Sequence, residues 1–272
     1  MTREETTTTG REPADAEIEV RHCHGLAEFE RCLELQRRVW GGAEIDTVPL
    51  PLFVVAAETG GQVLGAFSGR DLIGFTMALA GMRDTRPYLH SHMTAVLEAH
   101  RDRGVGRQLK LFQRQDALKR GMELVEWTFD PLELKNAYFN LERLGAIVRR
   151  YLPNCYGITT SPLHGGLPTD RLMAEWWLRS PRVEKILGEG SFLGARSQHA
   201  VSLRRSPQLT AMRVHVPAGI DQMRAENPAH LARVQAQVRK QFEYWLGRRH
   251  AATGLERASD GGDYLLEPWR SE

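Results

Sequence analysis

The sequence lacks the features that define several large classes of protein. It contains only three cysteines, an odd number, and Cys23, Cys32 and Cys155 do not have the spacing of metal ligands. No apolar run approaches the roughly 20 residues that a membrane-spanning helix needs. The net charge of +2 predicts no bulk attraction to nucleic acid or to an anionic membrane. We therefore expect free thiols in a reducing cytoplasm, no metal site, no membrane contact and no nucleic-acid partner.

The residues that are present have the balance of a soluble globular protein. Hydrophobic residues make up 42% of the 272 positions and charged residues 26%. This length suits one large domain, or a domain with an extension. Residues 1–16 are polar and threonine-rich, lack a signal-peptide core, and are predicted to be disordered.

The most informative pattern lies between an apolar run and a long helix-forming segment. It reads Val-x-x-x-x-Arg-x-x-Gly-x-Gly and extends from Val96 to Gly106. A strand that turns through two glycines into a helix leaves several backbone N–H groups unpaired and aimed at one point. Gly104 and Gly106 let that backbone approach an anion closely. Positive charge around the turn comes from Arg101, Arg103 and Arg107. The pattern predicts a bound phosphate or pyrophosphate.

Two other phosphate-binding patterns do not fit this turn. A dinucleotide fingerprint needs a third glycine, but position 109 is leucine, and Arg107-Gln108 does not supply the Gly-Lys-Ser/Thr of a nucleotide P-loop. A plain glycine-rich connection is the remaining alternative. The eleven-residue pattern resembles motif A of the GNAT acyltransferases at every fixed position. That resemblance implies that the turn holds the pyrophosphate of acetyl-CoA or another acyl-CoA. The implied cofactor residues here are Val96, Arg101, Arg103, Gly104, Val105, Gly106 and Arg107.

A second stretch extends the resemblance. Residues 122–129 alternate like a strand, and a helix pattern follows from residue 132 to residue 144. Within it, Asn136-Ala137 and Leu144-Gly145-Ala146 resemble the second GNAT signature, which places Asn136 near the pantetheine arm. The sequence departs from that signature at Ala146, where phenylalanine is usual. It also departs at Leu141, where the family often carries the tyrosine that protonates the departing thiolate, so that donor is another residue, a water, or absent.

The order of predicted elements indicates an α/β fold. The resemblance implies the GNAT fold, with a mixed and mostly antiparallel central sheet flanked by helices, and a C-terminal α/β extension completes the chain. Residues 53–57 are predicted to form a strand, paired through a Gly60-Gly61 turn with residues 62–67. We divide the chain into a disordered tail (1–16), an acyl-CoA-binding catalytic domain (17–180), a linker (181–210) and a strand–helix–strand extension (211–272). An amphipathic stripe in this extension fits either an intrachain core or a homodimer interface.

Two residues are candidates for general acid–base chemistry. On the strand before the turn, His90, His92 and Thr94 are expected to share one face by the strand period of two. His92 lies nine residues before Arg101, where several GNAT enzymes carry the general base, and an imidazole suits that role. Glu126, on an apolar strand, is the second candidate. The structural alternatives are a hydrogen-bonded histidine that lines the sheet and a glutamate paired with an arginine.

The resemblance leads to one main functional expectation and two rivals. The expected enzyme moves an acetyl group, or another short acyl group such as succinyl, from CoA to the amine of a small molecule. Amino acids are among the expected acceptors. Attack is expected to be direct, in a ternary complex, since no cysteine lies near the motif. Arg149-Arg150 is either a solvated pair or part of a pocket for a substrate carboxylate. The rivals are a protein or peptide N-acetyltransferase and a non-catalytic CoA-binding module.

Overall fold

The computed structural model describes residues 17–41, 47–158, 166–188 and 211–269. The predicted tail, residues 1–16, lies outside the described residues. The strands are β1 (Ile18–His22), β2 (Gln62–Ser68), β3 (Asp71–Arg83), β4 (Arg86–Val96), β5 (Leu124–Phe129), β6 (Ile147–Leu152), β7 (Arg171–Trp177), β8 (Met212–Pro217), β9 (His250–Ala258) and β10 (Gly261–Pro268). The helices are α1 (Gly25–Trp40), α2 (Leu50–Glu58), α3 (Val105–Lys119), α4 (Leu134–Tyr138), α5 (Pro181–Gly188), α6 (Ile220–Glu226) and α7 (Pro228–Leu246).

All ten of these strands join one sheet, in the order β1-β2-β3-β4-β5-β7-β6-β9-β10-β8. Neighbouring strands run antiparallel except β4 and β5, which are parallel. Helices pack on both faces. The expected fold class, a mixed and mostly antiparallel sheet flanked by helices, is confirmed. Within the described residues, no helix has the length and apolarity needed to cross a membrane.

The two faces of the sheet carry different helices. On one face, α1 and α2 pack over the first strands, where Phe29, Phe53, Phe75 and Met77 are buried together. On the other face, α3 packs through Val105 and Leu109 against β2 and β3. The apolar side chains therefore hold a rigid sheet between these helices, and its central strands β4 and β5 are positioned by contacts on both faces.

The segment predicted as a strand at residues 53–57 is instead part of α2. The prediction was wrong because a short continuous apolar run fits a buried helix as well as a buried strand. Pro51 lies in the first turn of α2, where a missing N–H costs nothing. Gly61 is not a hairpin residue: a Cβ there would lie 2.2 Å from the Ala78 carbonyl oxygen and 2.5 Å from that of Ala56. It allows the end of α2 to approach β3 closely.

The C-terminal region contains more elements than the predicted strand–helix–strand. The additional elements are α6 and β9, and β9 pairs with β6 at Ala252 and Val148, so the C-terminal strands continue the same sheet. The amphipathic stripe of α7 packs into the chain's own core through Leu231, Val238 and Phe242. In the predicted linker, residues 181–188 form α5, and residues 189–210 lie outside the described residues. The homodimer stays a prediction.

Candidate active site

The two parallel strands at the centre of the sheet separate along their length. They pair at Leu89 with Val125 and at His90 with Glu126. Beyond this point β4 continues to Val96 and β5 continues to Phe129. The diverging halves leave a split between β4 and β5, which opens toward the glycine turn at the end of β4. A split of this kind exposes backbone groups in the middle of a sheet, where an extended ligand can insert.

A β-bulge at His92 marks the start of the split. Ser91 pairs with Ala78 and Met93 pairs with Met77, so His92 is the extra residue on β4. Because the bulge resets the alternation of side chains, Thr94 lies on the face of Ser91. The hydroxyl of Thr76 contacts both, at 2.8 Å and 3.5 Å respectively. The expectation that Thr94 shares a face with His90 and His92 was therefore wrong.

The glycine turn has the geometry predicted from the sequence. Gly104 adopts a left-handed conformation with φ 82° and precedes α3, and no side-chain hydrogen bond caps the N-terminus of that helix in the described structure. The first N–H groups of an α-helix have no intrahelical partner. A Cβ on Gly104 would meet nothing within 4 Å, and one on Gly106 would meet only Val96 Cγ2, at 3.9 Å. Open space therefore lies over Gly104, and a Cβ on Gly106 would make one ordinary van der Waals contact, so an anionic ligand could reach the N–H groups of the turn.

The arginines of this turn differ in their surroundings. Arg107 is half-buried, and its Nε has no hydrogen-bond partner among the described residues. Burial, followed by the nearby positive charge of Arg143, lowers the pKa of Arg107. Arg101 folds back, with its Nε 3.2 Å from the Val96 carbonyl oxygen, and Arg103 is exposed. A guanidinium nitrogen without a partner, beside a second guanidinium group, favours the binding of an anion such as a phosphate.

The helix after β5 lies beside the same turn. Lys135, in α4, forms an ion pair of 2.9 Å with Asp102 of the turn. Asn136 is exposed, and its Oδ1 lies 3.4 Å from Nδ2 of Asn140. Leu141 is fully buried in the core, within a π-helical turn over Phe139–Arg143. The residue at the position of the expected tyrosine therefore faces the interior rather than a ligand.

Two imidazoles stand at the start of the split. The ring centroids of His90 and His92 are 6.2 Å apart, and the side chain of His92 is accessible to solvent. Partial burial lowers the pKa of His92. Burial, and next the neighbouring His92, lower the pKa of His90. Both rings are thus biased toward the neutral form, which can accept a proton.

Glu126, the second predicted catalytic residue, is held by two arginines. Arg83 donates to Oε1 and Oε2 of this buried carboxylate at 2.6 and 2.7 Å. Arg150 donates to Oε1 at 2.7 Å. The structure thus shows the arginine pairing that the sequence offered as the alternative to a catalytic role. The ion pair with Glu126 raises the pKa of Arg83, which keeps that guanidinium charged.

The charged cluster continues onto the next strands. Glu175, which pairs with Glu126 across β5 and β7, accepts from Arg149 Nε at 2.9 Å and lies 3.7 Å from Arg150 Nε. A bulge at Arg149 lets two consecutive arginines reach one carboxylate. The cluster of Arg83, Arg149, Arg150, Glu126 and Glu175 contains three cations and two anions. Its surplus positive charge lies on the face of His90 and beside the split.

Sequence reasoning missed Arg83, Arg143 and Glu175 of this site, and it missed Lys110 of α3. Arg83 lies at the turn between β3 and β4, whereas Glu126 lies on β5. Only the pairing of distant strands brings these two residues together. Arg143 lies outside the glycine motif. Lys110, a buried lysine, could have been noticed, because the helical period of α3 places it beside Leu109 on the face that packs against the sheet.

A cavity of about 390 Å³ lies away from the split, between β1, α1, α2 and the C-terminal end of α3. Two carboxylates, Glu58 and Asp116, line this cavity. Asp116 is already bonded to Gln62 Nε2 at 2.6 Å, Arg120 Nε at 3.0 Å and His22 Nε2 at 3.3 Å. The described residues contain no group of side chains arranged to hold a metal ion. The reactive geometry is therefore concentrated at the split and its glycine turn.

Comparisons with known proteins give structural matches. No protein-family model matches the chain, and no curated protein matches it by sequence. The ribosomal-protein-S18-alanine N-acetyltransferase of Escherichia coli is 11% identical, covers 60% of this chain and 96% of its own, and gives a TM-score of 0.48. Aminoglycoside 6'-acetyltransferase type Ii is 16% identical over 60% of this chain and 98% of its own, with a TM-score of 0.48. Arabidopsis thaliana NAA60, solved with acetyl-CoA, is 14% identical over 59% and 99%, with a TM-score of 0.49.

Proposed function

We propose that this chain is a GNAT-type N-acyltransferase that moves an acetyl or other short acyl group from acyl-CoA to the amine of a small molecule. The observation that carries the proposal is the glycine turn from Arg101 to Arg107 at the open end of the β4–β5 split. The turn offers the first N–H groups of α3, open space over Gly104 and an Arg107 Nε that has no hydrogen-bond partner within the described part of the chain. These are the contacts that a pyrophosphate needs, and the split receives the extended arm that follows it.

The proposed role of each cofactor residue follows from its position. Gly104, Val105 and Gly106 present their N–H groups to the pyrophosphate, and Arg107 with Arg143 supplies positive charge. Asn136 lies on α4 beside the turn, next to the arm of the cofactor. Val96 contributes its backbone at the end of β4. The acyl group arrives as a thioester, which is reactive enough for direct attack by an amine without a covalent enzyme intermediate.

The acceptor side of the split offers a base and an anion-binding surface. In the proposed reaction His92 accepts the proton that the amine releases as its C–N bond forms, directly or through a water. The lowered pKa of His92 keeps the ring neutral at physiological pH. Arg83 and Arg150 are each about 40% exposed on the face of the sheet that carries His90, so they are proposed to receive a carboxylate of the acceptor. An amine that carries a carboxylate, such as an amino acid, is the proposed substrate class.

Turnover with a panel of amines tests this proposal. Release of free CoA thiol from acetyl-CoA and succinyl-CoA is measured with free amino acids, with the corresponding decarboxylated amines and with short peptides. Thiol release with free amino acids supports the proposal. Release with peptides alone would replace it with peptide N-acetylation. CoA binding without thiol release for any amine would leave only a binding module.

A further inference from the structure

Lys110 is a buried amine that the proposed reaction leaves unused. Its side chain is 4% exposed, and no carboxylate contacts it among the described residues. The Nζ lies 2.7 Å from Ser91 Oγ and 3.1 Å from Gln113 Oε1, and it stands 4.1 Å from the centroid of the Trp127 ring. A buried ammonium group without a counter-ion is costly to keep, so its presence in the core calls for a functional explanation.

The position of Lys110 in the fold is specific. Ser91 is the first residue of β4 beyond its last pairing with β5, and Trp127 is the first such residue of β5. The ammonium group contacts both residues and therefore closes the base of the split from the side of α3. Any ligand that inserts between β4 and β5 ends close to this amine.

A row of hydroxyl groups connects Lys110 with the wall of the split. After the 2.7 Å contact to Ser91, the Oγ of Ser91 lies 3.5 Å from Thr76 Oγ1. Thr76 Oγ1 lies 2.8 Å from Thr94 Oγ1 and 2.9 Å from the Met93 carbonyl oxygen, so its hydrogen has two acceptors. The bulge at His92 creates this row, because it places Thr94 on the same face as Ser91. Thr94 is half-buried on the free part of β4.

We propose that Lys110 supplies, through Ser91, Thr76 and Thr94, the proton that the CoA thiolate takes up as it leaves. This inference rests on the proposed function. The amine nitrogen forms a bond to the acyl carbon while the C–S bond breaks, and the electron pair of that bond stays on sulfur. Thr94 gives its hydroxyl proton to sulfur and receives a proton from Thr76. Thr76 then receives a proton from Ser91, and Ser91 receives one from the Lys110 ammonium group. The proton that the amine loses goes to His92, so the transfer balances.

The surroundings of Lys110 suit this role. Burial lowers its pKa from 10.5 to about 7, so it releases a proton far more readily than an ordinary lysine. On β4, the positive charge of Lys110 contributes to the lowered pKa of the His90 imidazole. Across the sheet, Glu126 and Glu175 are already bonded to arginines. The row of hydroxyl groups also supplies a proton donor in place of the family's tyrosine, since the residue at that position, Leu141, is buried in the core.

Single-turnover acyl transfer tests the proposal with paired variants. Lys110→Met keeps the shape of the side chain, and Thr94→Val removes only the last hydroxyl group. Both are expected to lower the transfer rate about tenfold or more, with unchanged CoA affinity. In the wild type the rate falls as the pH rises through about 7, because Lys110 loses its proton, and this limb disappears in Lys110→Met. Thr94→Ser restores the hydroxyl group and is expected to restore the rate.

A second readout needs no turnover. The wild type carries a lysine whose pKa is lowered on folding, so its stability rises between pH 7 and pH 10.5, where the unfolded chain binds more protons. Urea unfolding is expected to show that Lys110→Met is more stable than the wild type at pH 6 and that this advantage shrinks by pH 10. If the difference in stability between Lys110→Met and the wild type did not change with pH, Lys110 would not titrate near neutrality and could not be the proposed acid.

The outcomes separate the two proposals. If the wild type transfers an acyl group while Lys110→Met and Thr94→Val keep its rate and pH profile, the hydroxyl row carries no proton and only this inference fails. If the wild type releases no thiol with any amine, the proposed function fails, and this inference falls with it.

Discussion

Arg83 holds both carboxylate oxygens of Glu126, at 2.6 and 2.7 Å, at the point where β4 and β5 begin to separate. A bidentate pair of this kind fixes the plane of the guanidinium group. Arg83 keeps about 40% of its side chain exposed, whereas the carboxylate is buried. Glu126 is therefore proposed to orient an arginine whose open edge faces the acceptor.

Replacing Arg83 by methionine is expected to raise the KM for an amino-acid acceptor about tenfold or more, because a charge-assisted hydrogen bond contributes about 1.5–3 kcal/mol. The KM for the decarboxylated amine is expected to stay the same. Steady-state thiol release with the two acceptors measures the difference. Arg21→Met is the matched control, since Arg21, on the outer strand β1, forms a similar bidentate pair with Glu28 of α1. Equal effects on both acceptors would remove Arg83 from carboxylate recognition.

Glu126→Gln tests the cluster as a structural unit. The substitution leaves Arg83 and Arg150 facing a neutral amide, and breaking a buried ion pair is strongly destabilising. Because both arginines are partly exposed, we expect a loss of about 1–3 kcal/mol in the free energy of unfolding. Urea denaturation measures it. Glu175→Asp, which keeps the charge within the same cluster, is expected to lose less. A variant as stable as the wild type would show that the pairing has little energetic weight.

His92→Gln addresses the proton acceptor. Partial burial lowers the pKa of His92, so the neutral ring persists to a pH below 6.5 and the base is lost only as the pH falls further. The wild-type kcat/KM is expected to drop on the acid side with a midpoint below 6.5. In His92→Gln the rate is expected to fall about 100-fold or more and to lose this limb. His90→Gln serves as the neighbouring control. A wild-type pH profile in His92→Gln would exclude His92 as the base.

Arg107→Met tests the orphaned guanidinium group. Its Nε is buried and has no partner among the described residues, so a phosphate that contacts this guanidinium group satisfies a hydrogen-bond donor that the protein leaves unpaired. The affinity for CoA is expected to fall about tenfold or more, while removal of a partly desolvated charge leaves the unfolding midpoint unchanged or raised. Comparing CoA with dephospho-CoA for Arg107→Met and Arg143→Met identifies which phosphate each arginine binds. Unchanged affinity in Arg107→Met would place the anion elsewhere.

Local patterns in the sequence predicted the parts of this molecule that depend on local geometry. The turn at Gly104 was predictable because a left-handed residue before a helix needs glycine, and the neighbouring arginines are adjacent in sequence. The strand–turn–helix order around it was predictable for the same reason. The α2 helix was not, because its apolar run has no distinguishing period.

The rest of the site depends on pairing between distant residues. The bulge at His92 follows from the register of β4 against β3, which no period within β4 reveals. The pairing of Arg83 with Glu126 joins residues 43 positions apart. Lys110 carried a usable signal in its helical position, but its hydroxyl neighbours could be identified only once the sheet was formed.

Calorimetric titration of CoA into Gly104→Val tests the central claim most directly. A valine at φ 82° is strained and projects into the open space over the turn. Gly121→Val is the matched control, since Gly121 has φ 75°, also has nothing within 4 Å of its Cβ, and lies beyond the C-terminal end of α3. Both variants are expected to lose about 1–2 kcal/mol of stability. CoA binding is expected to disappear in Gly104→Val and to match the wild type in Gly121→Val. Wild-type affinity for CoA in Gly104→Val would contradict the pyrophosphate site and the acyltransferase activity proposed from it.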